Sequence, residues 1–121
     1  MCTARDLFIC TFWYIINYGD TMKTYTICGS MRFEEEMKHT AFILETEYGF
    51  NILQCTYNTE NKNISDIQKL NLVNSHYAKI DISDGVYILD VDGYIGESVK
   101  KEIEYAQNHN KEIIYHSKFK G

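Results

Sequence analysis

Residues 85–91, GVYILDV, decide the fold. Val86, Tyr87, Ile88 and Leu89 run without a polar break between Gly85 and Asp90. A strand with one wet face would alternate apolar and polar residues. An unbroken apolar run of this length is instead the pattern of a strand buried on both faces of a parallel sheet. Such a sheet needs helices on both sides, so the flanking sequence should alternate between periods of about 2 and about 3.6 residues.

The alternation is present on both sides. Upstream, TYTICGS (24–30) is a β-rich run that ends in a glycine turn. Residues 33–48 then place Phe33, Met37, Ala41, Leu44 and Tyr48 at helical spacing, with Gly49 where a helix ends in a left-handed residue. NILQCTY (51–57) is a second strand, and the polar stretch 56–63 a loop. A second helix is predicted over 64–82, capped by Ser65 or Asp66, with Val73, Tyr77 and Ile80 on one face. Downstream, Gly93 and Gly96 lead into a helix over 97–108, and EIIYHS (112–117) is the last strand. Right-handed crossovers then give an α/β, Rossmann-like three-layer sandwich with a small parallel sheet in the order 2-1-3-4. Its topological switch point lies between strands 1 and 3, and ligands of open α/β sheets bind there, at the carboxyl ends of the strands. CGSMR (28–32) and DVDGYIGES (90–98) both fall at that crevice.

Composition narrows the function classes. The 121 residues are 45% hydrophobic and 24% charged, which suits one domain, expected over residues 23–121. A net charge of −5 with scattered Lys and Arg does not make a surface for nucleic acid. Cys2, Cys10, Cys28 and Cys55 show no CxxC pair and no His/Cys zinc spacing, so neither a metal nor another cofactor is expected. They read as reduced thiols of a cytoplasmic protein.

Residues 1–22 form an N-terminal extension. Its apolar run over 7–16 is too short for a membrane span, which needs about 20 residues, and its flanks make a poor signal peptide. Met22 is the expected natural start. If residues 1–21 are present, they are expected to form an apolar helix that covers a hydrophobic face or a dimer seam.

Each chemistry-bearing residue also has a plainer role open to it. Gly29, Ser30 and Arg32 can hold a phosphate or carboxylate at a strand-to-helix turn, or be a tight turn with a capping serine and a surface arginine. Asp90 and Asp92 can bind ribose hydroxyls or Mg²⁺, or bond their own backbone. Tyr25, Tyr94 and Tyr105 can stack on a base or sugar. At 100° per residue, Ser98, Glu102 and Tyr105 fall within about 60° of one another, beside the apolar stripe of Val99, Ile103 and Ala106. Glu102 at the edge of a buried face is placed to act as a nucleophile, or simply to complement the helix dipole. Glu97, Glu104, Lys100 and Lys101 point to solvent.

ICGSMRF (27–33), HYAKIDISDGVYIL (76–89) and GYIGESVKKEIEYA (93–106) together resemble the nucleoside 2-deoxyribosyltransferase-like superfamily, in particular its small bacterial and phage members. The resemblance spans nearly all of residues 23–118. It implies a Rossmann-like fold and cleavage of the N-glycosidic bond of a nucleoside or nucleotide by a glutamate in an E-x-G-[YF]-A pattern. Glu102-Ile103-Glu104-Tyr105-Ala106 matches that pattern except for Glu104 in place of glycine. On this resemblance Glu102 is the nucleophile, Ser98 a phosphate or sugar ligand, and Gly29, Ser30 and Arg32 part of the nucleotide loop.

Classical members place an aspartate where this chain has His76, which is then the expected general acid. Two functions stay open: an N-glycosidase or N-deoxyribosyltransferase, and a non-catalytic protein that binds or sequesters a nucleotide-derived ligand. The expected partner is a small nucleoside or nucleotide, with no membrane, and with a homodimer or higher homo-oligomer in which Tyr94 or the N-terminal segment supplies a seam.

Overall fold

A computed structural model of the chain describes residues 22–121. Except for Met22, the expected N-terminal extension lies outside the described residues. The elements follow the order β1 (Thr24–Cys28), α1 (Glu34–Tyr48), β2 (Asn51–Leu53), α2 (Asp66–Asp81), β3 (Gly85–Ile88), α3 (Glu97–Asn108) and β4 (Glu112–Tyr115). Short 3-10 turns at Met31–Phe33, Val91–Gly93 and His116–Lys118 follow β1, β3 and β4.

All strand pairs are parallel and the sheet order is β2-β1-β3-β4, as the alternation predicted. The architecture is therefore α/β and Rossmann-like. β3 is buried along its whole length, and burial continues through Leu89 and Asp90. Side chains alternate between the two faces. Tyr25, Ile27, Tyr87 and Leu89 pack under α1 with Met37, Ala41 and Leu44. Cys28, Val86 and Ile88 pack under α2 and α3 with Ile80, Val99, Ile103 and Ala106.

The helix ends follow local chemistry. Gly49 closes α1 in the left-handed region at φ 69°, with its N–H on the Leu44 carbonyl. Ser65 and Gln68 form a reciprocal capping box at the start of α2: Gln68 N–H donates to Ser65 Oγ at 3.1 Å and Ser65 N–H to Gln68 Oε1 at 2.8 Å. α3 spans the predicted residues.

Four expectations shift. β3 ends at Ile88, not at residue 91, as the chain turns into the 3-10 segment Val91–Gly93 with Gly93 N–H on the Asp90 carbonyl at 3.0 Å. β2 ends at Leu53, not at residue 57. The Gln54 carbonyl accepts from Lys79 Nζ at 2.9 Å, which draws the chain out of the sheet toward α2. β4 ends at Tyr115, because Asp90 holds the following turn by Ser117. On α2 the buried residues are His76 and Ile80, while Val73 stays 49% exposed. Among the described residues the amino-terminal half of α2 meets no apolar surface, and Ile67, Leu70 and Val73 are all exposed.

Gly85 is required by a backbone approach. A Cβ there would stand 2.4 Å from the Glu112 carbonyl oxygen of β4, which cannot rotate away. Ala at this position would gain about 0.4–1 kcal/mol from a stiffer unfolded chain, and overpacking costs about 1–3 kcal/mol. The clash wins. Gly85→Ala is expected to lower the unfolding free energy by about 1–2 kcal/mol, read as a lower urea midpoint at unchanged m-value; a midpoint at or above that of wild type would contradict this placement of β4.

Candidate functional site

Three elements converge at the carboxyl end of β1, next to the β1/β3 switch point. β1 ends in Cys28, whose side chain points to the α2/α3 face and is 1% exposed. α2 brings His76 from the third turn of the helix, and α3 brings Glu102 from its second turn. Cys28 Sγ and His76 Nε2 hydrogen-bond at 3.5 Å. His76 Nε2 lies 3.3 Å from Glu102 Oε1, with 11% and 15% of the two side chains exposed. Glu102 and His76, proposed from the sequence as nucleophile and acid, thus stand in contact. Cys28 is the member that the sequence reading did not include.

The proton positions follow from burial. The Cys28 thiol also reaches the Thr26 carbonyl at 3.8 Å, so its S–H has an acceptor in its own strand. His76 Nδ1 is buried without a hydrogen-bond partner among the described residues. A proton there would be an orphaned donor, whereas a bare lone pair costs less, which favours the tautomer with its proton on Nε2, the nitrogen that faces Cys28 Sγ and the Glu102 carboxylate. Burial pushes the Cys28 thiol well above its ordinary value, and the Glu102 carboxylate adds to the shift. Burial also raises the neighbouring Tyr77 phenol, again with Glu102 contributing.

The loops beyond β1 and β3 meet over the switch point. The Arg32 guanidinium lies 4.7 Å from the centre of the Tyr94 ring and 5.4 Å from that of Phe33, and the two rings meet edge to face at 6.0 Å. Arg32 makes no ion pair among the described residues, so its charge is available. Ser30 caps the 3-10 turn by accepting from Arg32 N at 3.4 Å. Gly29 answers to packing: a Cβ would stand 2.9 Å from Met37 Sδ and 3.2 Å from Leu89 Cβ. Ser98 is exposed in the first turn of α3, a helix whose start has no side-chain cap.

Other expected ligands are placed elsewhere. Asp90 is 6% exposed and accepts from Ser117 N at 2.8 Å and Ser117 Oγ at 2.6 Å, so its carboxylate clamps the turn after β4. Asp90 and the exposed Asp92 line a cavity of about 400 Å³ with Glu36, His39, Thr40 and His116, which includes none of Cys28, His76 and Glu102. Tyr25 is buried and donates to Glu112 at 2.8 Å, and burial raises its phenol. Tyr105 stacks on His109 at 4.0 Å and donates to Asp81. Of the three candidate stacking tyrosines, Tyr94 is 44% exposed over the crevice.

Compared with protein families, curated proteins and solved structures, the chain matches none.

A thiol whose folded-state pKa is raised stabilises the fold below its unfolded value of 9.0. That contribution is lost as pH rises from there toward the folded value, because the unfolded chain releases a proton that the folded one retains. The slope for one such group is about 1.4 kcal/mol per pH unit. In metal-free protein above pH 9, unfolding free energy is expected to fall more steeply in wild type than in Cys28→Ala, by about that slope. Denaturant melts across this range decide it; parallel slopes would show that Cys28 is not shielded as described.

Proposed function

We propose that the chain cleaves the N-glycosidic bond of a nucleoside or nucleotide and passes the glycosyl group to water or to a second base. The observation that carries this is the position of Glu102: a carboxylate in contact with a buried histidine at the β1/β3 switch point, 15% exposed and therefore reachable. It accords with the resemblance of residues 27–33, 76–89 and 93–106 to the nucleoside 2-deoxyribosyltransferase-like superfamily.

In the proposed reaction a Glu102 oxygen attacks C1′ through an oxocarbenium-like transition state. The C1′–N bond breaks, its electron pair goes to the base nitrogen, and that nitrogen takes up a proton. Water or an incoming base then displaces the carboxylate from the glycosyl ester and restores Glu102, as in retaining glycosidases. His76 serves as a positioning residue, since its Nε2 faces Glu102 and Cys28 inside the fold. The proton for the leaving base then comes from solvent or from a group on the crevice loops. Arg32, together with the uncapped amino terminus of α3 at Ser98, suits a 5′-phosphate, and Tyr94 offers a face for the base or sugar.

A second reading, a binder without turnover, is favoured by the tightness of the same site. Neither the 400 Å³ cavity nor another of about 350 Å³ along Ile113, Tyr115 and Phe119 includes Glu102.

Incubation with a panel of nucleosides and their 5′-monophosphates, read by chromatography of the free base, separates the two. Base release is expected in wild type and is expected to fall about 10³-fold or more in Glu102→Gln. Turnover unchanged in the variant would remove Glu102 from the mechanism. Saturable binding with no base released would leave the binder.

A further inference from the structure

Cys28, His76 and Glu102 are the group among the described residues whose ligand atoms, one each from Sγ, imidazole N and carboxylate O, all lie within 4.8 Å of one another. We propose that this trio is a reversible binding site for a thiophilic divalent cation of the Zn²⁺ class, coordinated by Cys28 Sγ, His76 Nε2 and a Glu102 oxygen.

Two of the three ligand separations match those of a tetrahedral centre, and the third, Cys28 Sγ to a Glu102 oxygen, lies within 4.8 Å. With bond lengths of about 2.3 Å to sulfur, about 2.05 Å to imidazole nitrogen and about 2.1 Å to carboxylate oxygen, tetrahedral angles put S and N about 3.6 Å apart and N and O about 3.4 Å apart. The separations here are 3.5 Å and 3.3 Å. A tetrahedral set also needs Cys28 Sγ and a Glu102 oxygen about 3.6 Å apart, which a rotation of the partly exposed Glu102 side chain can supply. The ligands come from β1, α2 and α3, so the fold fixes the distances that a flexible loop would have to organise.

The chemistry of the ligands selects the metal. One thiolate, one imidazole and one carboxylate suit Zn²⁺, whereas Mg²⁺ and Ca²⁺ want oxygen ligands alone. Three protein ligands leave a fourth position for water or another ligand, on the side where Glu102 reaches solvent. Cys28 binds as the thiolate and its proton leaves to solvent; the imidazole proton moves to Nδ1. Nδ1 has no partner among the described residues, whereas ligating histidines normally donate to one. The site is therefore an exchangeable one, weaker than a structural zinc centre. Resting on the role proposed for Glu102, the ion and the glycosyl transfer compete for the same carboxylate, so bound metal inhibits.

The test reads the metal alone, with no nucleoside present, so its failure and that of the glycosidic reading are distinct. Reduced, tag-free, full-length protein is titrated with Co²⁺ under argon. A thiolate-to-cobalt charge-transfer band in the near ultraviolet, saturating at one equivalent and displaced by Zn²⁺, is expected in wild type. It should disappear in Cys28→Ala. Glu102→Gln, a partly exposed substitution that leaves the core intact, should bind at least about tenfold more weakly. Far-UV circular dichroism shows that each variant is folded. Absence of the band at excess Co²⁺ would overturn the proposal, as would a band that persists in Cys28→Ala or equal affinity in Glu102→Gln.

Discussion

The pairing of β1 with β3 is the constraint on which the other elements depend. Tyr25 to Cys28 lie in register with Gly85 to Ile88, and all of these residues are buried. A strand pair covered on both faces cannot use water to satisfy its backbone, so every amide needs a neighbour in the sheet. β2 supplies that neighbour on one side and β4 on the other. The ladder continues past the strands through Leu89 N–H on the Cys28 carbonyl at 2.8 Å. This last bond fixes the distance between the ends of β1 and β3, and so the width of the crevice in which Arg32 meets Tyr94.

Polar contacts lock the opposite end of the sheet. Thr26 Oγ1 and Ser83 Oγ share a buried hydrogen bond of 2.7 Å, and Ser83 Oγ donates to the Lys79 carbonyl at 2.7 Å. Lys111 Nζ donates to the carbonyls of Asp81 and Ser83, which satisfies two acceptors just past the last turn of α2 and sets a positive charge against the negative end of the helix dipole. Asp84 Oδ2 accepts from Thr24 N at 2.8 Å and joins the starts of β3 and β1. The buried hydroxyls are paired, so their burial specifies register at little cost.

What the sequence revealed and what it hid divide along one physical line. Apolar runs and helical periods are local, and they predicted β3, α3, the glycine close of α1 and the strand order. The reach of β2 and β4 was not legible, because it is set by Lys79 on Gln54 and by Asp90 on Ser117, contacts between residues 25 and 27 positions apart. The phase of α2 misled for a related reason. Val73 is apolar and His76 polar, and only the arrival of Cys28 and Glu102 in space decides which of them turns inward. Glu102 was singled out by its place beside the stripe of Val99 and Ile103. Its contact with Cys28 joins positions 28 and 102, a separation at which no spacing rule operates.

The uneven burial of α2 bears on how the site is reached. Its carboxyl-terminal half is held by Ile80, Ser83 and Lys111, whereas Ile67, Leu70 and Val73 in the preceding turns have no partner among the described residues. His76 sits at the boundary between the two halves. Segments with few buried apolar contacts open locally at a fraction of the global unfolding free energy. His76 touches both the Glu102 carboxylate and the Cys28 thiol, so access to either depends on how firmly this boundary turn of α2 is held.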